Sequence, residues 1–431
     1  MLRRSSLIPA AFLAGALVAL SLARGADAPP PGFEPLFDGA SLAGWQGGST
    51  HDPRNVTAEQ QAAWDREVPA HWQAVDGQLV SDGHGPHLAT RREFGDFELW
   101  VDWNLAPRGD SGIYLRGCPQ VQLWDPGNEE AHANGSDKGS GALWNNAVHE
   151  RFPLQVADKP CGEWNRMYVR MVGPYVTVVL NDVKVVDDVI MENYYDRKLP
   201  VFPRGTIHLQ THGSETRFRS LYVREIPHAE ANALLAEIRG GEVGFQDLFN
   251  GRDLQGWRGA VNDYEAVDGA IRCRAGRGGT LLTDQEFADF AVRLEFQLPP
   301  GGNNGLAIRT PAAGGDPAFA GVELQVLDDD AEKYAGIEPY QAHGSAYGLA
   351  AAHRGYLRPT GAWNYQEVVV RGDAIDVHLN GYLILSTNLA EVRQQPLDGR
   401  EHPGASRAAG HFGFCGHGDP VAFRRIRVKP L

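Results

Sequence analysis

The stretch that decides the fold occurs twice in this chain. It reads FEPLFDGASLAGW at residues 33–45 and FQDLFNGRDLQGW at residues 245–257. Both copies share the pattern Leu-Phe-Asp/Asn-Gly-x-x-Leu-x-Gly-Trp. The chain therefore contains its own internal comparison: positions that both copies keep can be separated from positions that only one copy keeps.

Other motifs repeat in the same order along the chain. DSGIYLR at 110–116 matches NNGLAIR at 303–309, GEWN at 162–165 matches GAWN at 361–364, and HG at 212–213 matches HG at 417–418. A spacing of about 200 residues is far above that of stacked solenoid repeats and fits one large β-sandwich per copy. We predict a domain A at residues 29–226, a linker at 227–244 and a domain B at 245–431.

Composition limits the classes of partner. The chain has 431 residues, 42% of them hydrophobic, with a formal net charge of −14 and no basic run after the first few positions. This charge argues against a nucleic-acid partner. None of the 4 cysteines forms a Cys-x-x-Cys pair, which argues against a thiolate zinc site. An exported protein could form one disulfide in each domain, but the spacing of the cysteines alone does not establish the pairing.

The N-terminus has the pattern of an export signal. Two arginines precede a mostly apolar run at residues 7–22, and small residues follow at 25–28. This order predicts a signal peptide at residues 1–28 and a periplasmic or secreted protein without a membrane partner after cleavage. The alternative is a retained membrane anchor, although the apolar run is short for a span of about 20 residues.

Strand patterns dominate both copies. Residues 97–103, 175–180, 290–296 and 375–379 alternate between apolar and polar side chains, as antiparallel strands with one buried face do. The only clear helical pattern, at residues 228–238, lies between the copies. The sequence therefore predicts an all-β fold of two tandem jelly-roll β-sandwiches joined by a short linker helix.

The same alternation predicts which side chains turn away from each core. They are Tyr114, Arg116, Gln120, Gln122, Trp124, His208, Gln210 and His212 in domain A, and Arg309, Glu323, Gln325, Cys415 and His417 in domain B. If their strands share one sheet, they form a polar concave face suited to a polyhydroxylated ligand. The alternative is a solvated sheet face with no ligand.

Six motifs in this order, found twice, resemble the 3-keto-disaccharide hydrolase domain. They are Phe-x-Gly before Gly-Trp, Gly-Asp/Asn-x-Gly-Ile-x-x-Arg, Val-Gln/Glu-x-Gln-x-x-Asp, Gly-Glu-Trp-Asn, Leu-Asn-Asp/Gly, and Leu-Gln-Thr-His-Gly followed by Phe-Arg. The resemblance covers residues 33–226 and 245–431. It implies a concanavalin-A-like fold and activity on 3-keto-glycosides in glycan breakdown.

Cleavage of a 3-keto-glycoside by β-elimination needs a base for the acidified C2 proton and an electrophile for the developing oxyanion. We predict His212 and His417 as bases, Arg116 and Arg309 as oxyanion clamps, and Glu323 as a catalytic carboxylate. The predicted sugar-binding residues are Gln120, Gln122, Trp124, Trp144, Asn145, His208 and Gln210 in domain A, and Gln325, His343 and Tyr347 in domain B. A divalent cation is the alternative electrophile, with Asp125 and Asp328 either binding it or capping turns.

The copies diverge at two site positions. Domain A has Gln120 where domain B has Glu323, and domain B has Cys415 where domain A has Gln210. Neither copy has the complete set, so one domain is expected to be catalytic and the other to bind. Two alternatives remain: a non-catalytic carbohydrate-binding protein, and a retaining glycosidase, which needs two carboxyl groups roughly 5–5.5 Å apart.

Overall fold

The computed structural model describes residues 28–313 and 315–431. Apart from Ala28, the predicted signal peptide lies outside the described residues. The described chain forms two β-sandwiches, each made of one 8-stranded and one 5-stranded antiparallel sheet. The prediction of an all-β fold with two tandem sandwiches is confirmed.

Domain A contains thirteen strands and one α-helix. They are β1 (Glu34–Pro35), β2 (Trp45–Gly48), α1 (Ala58–His71), β3 (Trp72–Val75), β4 (Gln78–Ser81), β5 (His87–Thr90), β6 (Phe97–Leu105), β7 (Asp110–Leu115), β8 (Cys118–Trp124), β9 (Asn165–Val172), β10 (Tyr175–Leu180), β11 (Val183–Ile190), β12 (His208–Leu209) and β13 (Thr216–Glu225). The large sheet has the order β11-β10-β9-β6-β13-β4-β3, with β1 on β13, and the small sheet has the order β2-β5-β12-β7-β8.

Domain B repeats this arrangement after helix α2 (His228–Ile238). Its elements are β14 (Gln246–Asp247), β15 (Trp257–Gly259), β16 (Tyr264–Val267), β17 (Ala270–Cys273), β18 (Gly278–Phe287), β19 (Phe290–Gln297), β20 (Asn303–Thr310), α3 (Pro317–Ala320), β21 (Val322–Leu327), β22 (Trp363–Arg371), β23 (Ala374–Leu379), β24 (Tyr382–Asn388), α4 (Leu389–Val392), β25 (Gly410–His417) and β26 (Ala422–Pro430). The small sheet has the order β15-β18-β25-β20-β21, which matches domain A strand for strand.

The core of each domain lies between its two sheets because the strands alternate as the sequence predicts. Along β6, Phe97, Leu99 and Val101 are fully buried in the core. On the small sheet, Ile113 and Leu209 point into the same core. The neighbouring side chains in these strands therefore turn to the opposite side of the small sheet, here called the outer face.

The sequence predicts one of the two longer helices and misses the other. The linker helix is confirmed as α2, with the predicted bounds His228–Ile238. The expectation that it is the only clear helix is wrong, because α1 fills the insertion of domain A and packs against β2 and β3. Its start is fixed by a capping box in which the Thr57 side chain accepts from the Gln60 backbone N–H and the Gln60 side chain accepts from that of Thr57.

Helix α2 also joins the two domains physically. Ala231 and Leu235 are fully buried in a cluster with Val172 of β9, Tyr175 of β10 and Tyr365 of β22. Burying one such leucine stabilises the contact by about 1.5–3 kcal/mol. The large sheets of the two domains therefore share a small second core. None of the helices in the described residues is long and apolar enough to cross a membrane.

Candidate active site

A histidine and a carboxylate from adjacent strands meet on the outer face of domain A. His212 follows β12, and its Nδ1 lies 3.3 Å from Oδ2 of Asp110 at the start of β7. Gln122 Nε2 donates to Asp110 Oδ1 at 2.6 Å, and Gln120 Nε2 donates to Gln122 Oε1. The two glutamines thus hold the carboxylate that faces His212.

The carboxylate adjusts the histidine for proton transfer. The hydrogen bond to Asp110 raises the pKa of His212 above its ordinary value, and burial opposes this only in part. The His212 side chain is 60% exposed. With Nδ1 turned to the carboxylate, Nε2 is the nitrogen left to meet a ligand. A histidine that is oriented and made more basic by a carboxylate suits general-base chemistry.

An aromatic cluster occupies the same outer face beside this pair. The Tyr114 ring stacks on His208, with 5.5 Å between ring centroids and 8° between planes. His87 packs edge-on against Tyr114 at 5.0 Å. Burial lowers the pKa of His208 to about 3 and that of His87 to about 4. Both imidazoles are therefore neutral at pH 7.

Several buried polar atoms of this cluster have no hydrogen-bond partner among the described residues. They are Nδ1 of His87, Nδ1 of His208 and Oε1 of Gln210. Most buried polar groups in proteins are paired, so each unpaired group calls for an explanation. Three such atoms on one sheet face indicate a site built to bind a polar ligand.

Domain B builds its histidine–carboxylate pair from a different strand. His417 Nε2 lies 3.4 Å from Oε1 of Glu323 on β21, and this hydrogen bond raises the pKa of His417. Asn303 occupies the register position of Asp110. Glu323 lies directly above Gly305, where an added Cβ would come within 2.1 Å of Oε1. A side chain at this position would displace the carboxylate.

The rest of the outer face of domain B is less polar than that of domain A. Strand register places Gly413 where domain A has His208, and Ala307 where domain A has Tyr114. Cys415 packs with Leu282 and Ala307 in a small apolar cluster. Burial raises the pKa of the Cys415 thiol well above its ordinary value, so this cysteine is not an activated nucleophile. All four cysteines are free thiols.

The structure does not place the two arginines on the outer face, which corrects the geometry predicted for them. Arg116 is fully buried; it donates to the carbonyls of Gly95 and Gly173, each at 2.8 Å, and pairs with Asp96 at 3.1 Å. Arg309 donates in the same way to the carbonyls of Ala288, Gly372 and Arg407. The cause is a left-handed backbone at both positions, with φ of 54° and 51°, which ends the strand alternation.

The remaining predicted sugar-binding residues lie in two different environments. Trp124 packs edge-on against Trp144 at 5.2 Å, and Trp144 and Tyr347 hold matching positions after the edge strands of the two small sheets. Asn145 holds Arg197 through its backbone carbonyl at 2.5 Å. His343 is instead buried in domain B, where it stacks on Phe296 at 5.0 Å and its Nδ1 accepts from the backbone N–H of Leu327. The interpretation of His343 as a sugar ligand therefore does not fit its position.

The two aspartates considered for a cation act as turn caps. Asp125 accepts from the backbone N–H groups of Arg108 at 2.9 Å and Gly127 at 2.8 Å. Asp328 accepts from the N–H of Gly301 at 2.7 Å. Within residues 28–313 and 315–431, no group of three or more His, Cys, Asp or Glu side chains is placed to hold a metal ion. The residues present at the two aspartates therefore do not fit a divalent cation.

Two residues of the site, Asp110 and His87, are not among those predicted from the sequence, and Tyr114 is predicted on the outer face but without a role. Tyr114 and Asp110 belong to the repeated motif at 110–116, and their strand places them on the same side as Gly112. His87 lies in the alternating stretch His87–Thr90, whose Leu88 is in the core. Alternation places Tyr114 on this face and could have placed Asp110 and His87 there too, but the contacts that these side chains make depend on which strands become neighbours.

Comparison with known proteins agrees with the two-domain architecture. A profile of the 3-keto-alpha-glucoside-1,2-lyase-like domain matches residues 32–224 and again residues 244–429. These segments make up most of the chain, so the chain belongs to this family. Membership indicates a glycoside-hydrolase-like protein, and the resemblance seen in the sequence is confirmed.

Each individual relative aligns with a stretch of this chain about as long as one domain. A 3-keto-disaccharide hydrolase of Bacteroides thetaiotaomicron is 26% identical over 250 residues, which are 49% of this chain and 86% of that protein. A provisionally assigned glycosyl hydrolase of Parabacteroides distasonis is 24% identical with a TM-score of 0.39, covering 44% of this chain and 94% of that one. The carbohydrate binding module CBM66 of Bacillus subtilis is 13% identical with a TM-score of 0.29, covering 40% and 95%.

Proposed function

We propose that this protein cleaves 3-keto-glycosides by elimination and hydration, and that domain A carries the activity. The observation on which this rests is the contact between His212 and Asp110 beside three unpaired buried polar atoms. The family and the name of the Bacteroides relative support the substrate class. The mechanism follows from the chemistry of the site.

The reaction begins at the carbon next to the ketone. His212 Nε2 takes the C2 proton, and the electron pair moves to the C3 carbonyl oxygen to give an enediolate. When the C3 carbonyl re-forms, the electron pair makes a C1–C2 double bond and expels the glycosidic oxygen from C1. This leaving oxygen takes the proton from the imidazolium. Water then adds hydroxide to C1 and a proton to C2. The products are a free 3-keto sugar and an alcohol.

Neutral donors replace the arginines as partners for the oxyanion. Burial strongly raises the pKa of Tyr114, so its hydroxyl stays protonated and able to donate. Gln210 Nε2 lies 3.5 Å from that hydroxyl and points to the same region. Preorganised donors in a water-poor site stabilise developing negative charge effectively. We assign the C3 oxygen to Tyr114 and Gln210, and the sugar hydroxyls to His87 and His208.

Domain B suits a binding role. It keeps a histidine–carboxylate pair, but Gly413 and Ala307 stand in place of the imidazole and phenol of domain A. Without those donors, the oxyanion has fewer partners. We assign carbohydrate binding to its outer face, where Gln325 Oε1 is a buried polar atom without a partner in the described chain.

The alternatives are a wholly non-catalytic carbohydrate-binding protein and a retaining glycosidase. Against the second, the five strands of the small sheet of domain A carry one acidic residue, Asp110. A retaining glycosidase needs a nucleophile and an acid, two carboxyl groups in all. Export is part of the proposal through the N-terminal signal, and N-terminal sequencing of the protein from a periplasmic fraction tests it.

Turnover of two matched sugars tests the function. The mature protein is offered a 3-keto-disaccharide and its unoxidised parent, and release of reducing sugar is followed. We expect turnover of the keto compound alone, a loss of about 10²-fold or more in His212→Ala, and little change in His417→Ala. Cleavage of the parent would favour a retaining glycosidase, and binding without turnover of either would favour a lectin. Full activity in His212→Ala would show that His212 is not the general base.

A further inference from the structure

A pocket of about 490 Å³ opens beside the outer face of domain A, outside the site described above. Its principal lining side chains are His132, Asp137, Lys138, Trp144, Arg151 and Phe152. Two of them are aromatic and two are permanently cationic.

Arg151 is the permanent cation of this pocket that forms no ion pair within the described part of the chain. Its guanidinium lies 3.5 Å from the centroid of the Trp144 ring and 5.3 Å from that of Phe152. Its buried Nε has no hydrogen-bond partner among the described residues. By contrast, Lys138 is paired with Asp137 at 2.8 Å. A guanidinium stacked on an indole keeps its in-plane N–H groups free for a planar or tetrahedral oxyanion.

The pocket is connected to the proposed catalytic pair by direct contacts. Asp110 is the cross-strand partner of Trp124 between β7 and β8. Trp124 packs against Trp144 at 5.2 Å, and Trp144 carries Arg151. A sugar chain with one residue at His212 would therefore extend towards the pocket along the β8 edge.

The described residues of domain B show no equivalent of this arrangement at the matching position. Tyr347 takes the position of Trp144, and its ring meets Tyr340 edge-on at 5.8 Å, whereas Trp144 carries a stacked arginine. The pocket is a feature of the domain that carries the aromatic cluster and the Asp110 pair. Because the described residues show the pocket only in the domain with the proposed catalytic pair, the pocket is better explained by substrate selection than by the fold that both domains share.

We propose that this pocket is a subsite for an acidic sugar residue, with Arg151 binding its carboxylate or sulfate group and Phe152 contacting its ring. Uronic acids and sulfated sugars share the oxyanion that a free guanidinium edge recognises. Phe152 is 41% exposed and lies beside Trp144, at 6.4 Å between ring centroids. An apolar ring next to a cation is the combination that a charged sugar needs.

Calorimetric titration of the mature protein with glucuronic acid, glucose 6-sulfate and glucose tests this subsite. We expect at least one of the acidic sugars to bind tenfold or more tightly than glucose. Arg151→Gln should abolish that preference, and Arg151→Lys should weaken it because a lysine lacks the planar fork. Arg217→Gln removes the same charge from the large sheet, where Arg217 pairs with Glu215, and should leave the preference intact.

The comparison of the two acidic sugars separates the two sources of the anion. Equal binding of glucose and both acidic sugars, or an unchanged preference in Arg151→Gln, would overturn the proposal. Melting temperatures of the variants show that each is folded, and little change is expected because Arg151 has no hydrogen-bonded partner in the described chain. Because binding is measured without turnover, this result does not depend on the proposed reaction.

Discussion

His212 contacts Asp110 across two strands in domain A, and the same histidine position in domain B contacts a carboxylate from a third strand. The atoms are His212 Nδ1 and Asp110 Oδ2 at 3.3 Å, against His417 Nε2 and Glu323 Oε1 at 3.4 Å. Where domain A has its aspartate, domain B has Asn303. The differences between the copies are thus compensating: each keeps one carboxylate for its histidine.

Asp110→Asn should move the pH dependence of turnover. The carboxylate raises the pKa of His212, and a general base works in its deprotonated form. Activity therefore falls as pH drops through that raised pKa. Without the carboxylate the pKa of His212 falls, so the acidic limb of the kcat/KM profile should shift to lower pH. The plateau should drop by about tenfold or more, because a less basic and less oriented imidazole is a weaker base.

A matched control for this variant lies on the large sheet. Asp187→Asn removes an exposed carboxylate that pairs with Lys184 and should leave the profile unchanged. If Asp110→Asn loses activity with no shift of the acidic limb, then Asp110 acts on the fold and not on the histidine.

The geometry of domain B can be transferred into domain A. Gln120 occupies the register position of Glu323, so Asp110→Asn combined with Gln120→Glu should return a carboxylate to His212 from the other strand. Titration of the His212 ring by NMR should show a pKa that falls in the single variant and rises again in the double variant. Equal pKa values in the single and double variants would contradict the equivalence of the two arrangements.

Strand alternation was sufficient to find the outer face, because a side-chain period of two fixes which residues share a side. It correctly placed Gln120, Gln122 and His208 there. It failed at Arg116, where the backbone turns left-handed and the side chain leaves the alternation. The pairing of His212 with Asp110 could not be predicted from the sequence either. It depends on which strands become neighbours in the sheet, and the two residues are separated by about 100 residues of chain.

Arg116 should prove structural and not catalytic. Its guanidinium is fully buried and also contacts the hydroxyl of Tyr382 in domain B. Arg116→Met removes the donor to the carbonyls of Gly95 and Gly173 and one of the cations at Asp96, which keeps Arg358 at 3.5 Å; breaking a buried ion pair costs about 3–5 kcal/mol. Urea unfolding should show a loss of this order. The fraction of the variant that remains folded should retain the wild-type kcat. A variant that is stable but inactive would instead indicate that Arg116 takes part in catalysis.

Glu192 anchors the loop that carries Trp144 and Arg151. Its carboxylate accepts from the backbone N–H groups of Ala147, Val148 and His149 at 2.7–3.0 Å. Burial alone would raise the pKa of Glu192, but these donors outweigh it and lower the pKa to about 2. Because the folded pKa is depressed, the stabilisation is complete above the ordinary value near 4.5 and is lost as pH falls towards 2.

Replacing this anchor should loosen the proposed acidic-sugar subsite. Glu192→Gln exchanges a charged acceptor for a neutral amide and should cost about 1–3 kcal/mol. The loop then opens more often, so trypsin should cleave after Arg151 faster at pH 8 than in the wild type. Asp187→Asn removes an exposed carboxylate from the large sheet, outside this loop, and should leave the rate unchanged. Equal cleavage rates in wild type and Glu192→Gln would mean that the loop is held by its aromatic contacts, Trp144 against Trp124, and not by the carboxylate.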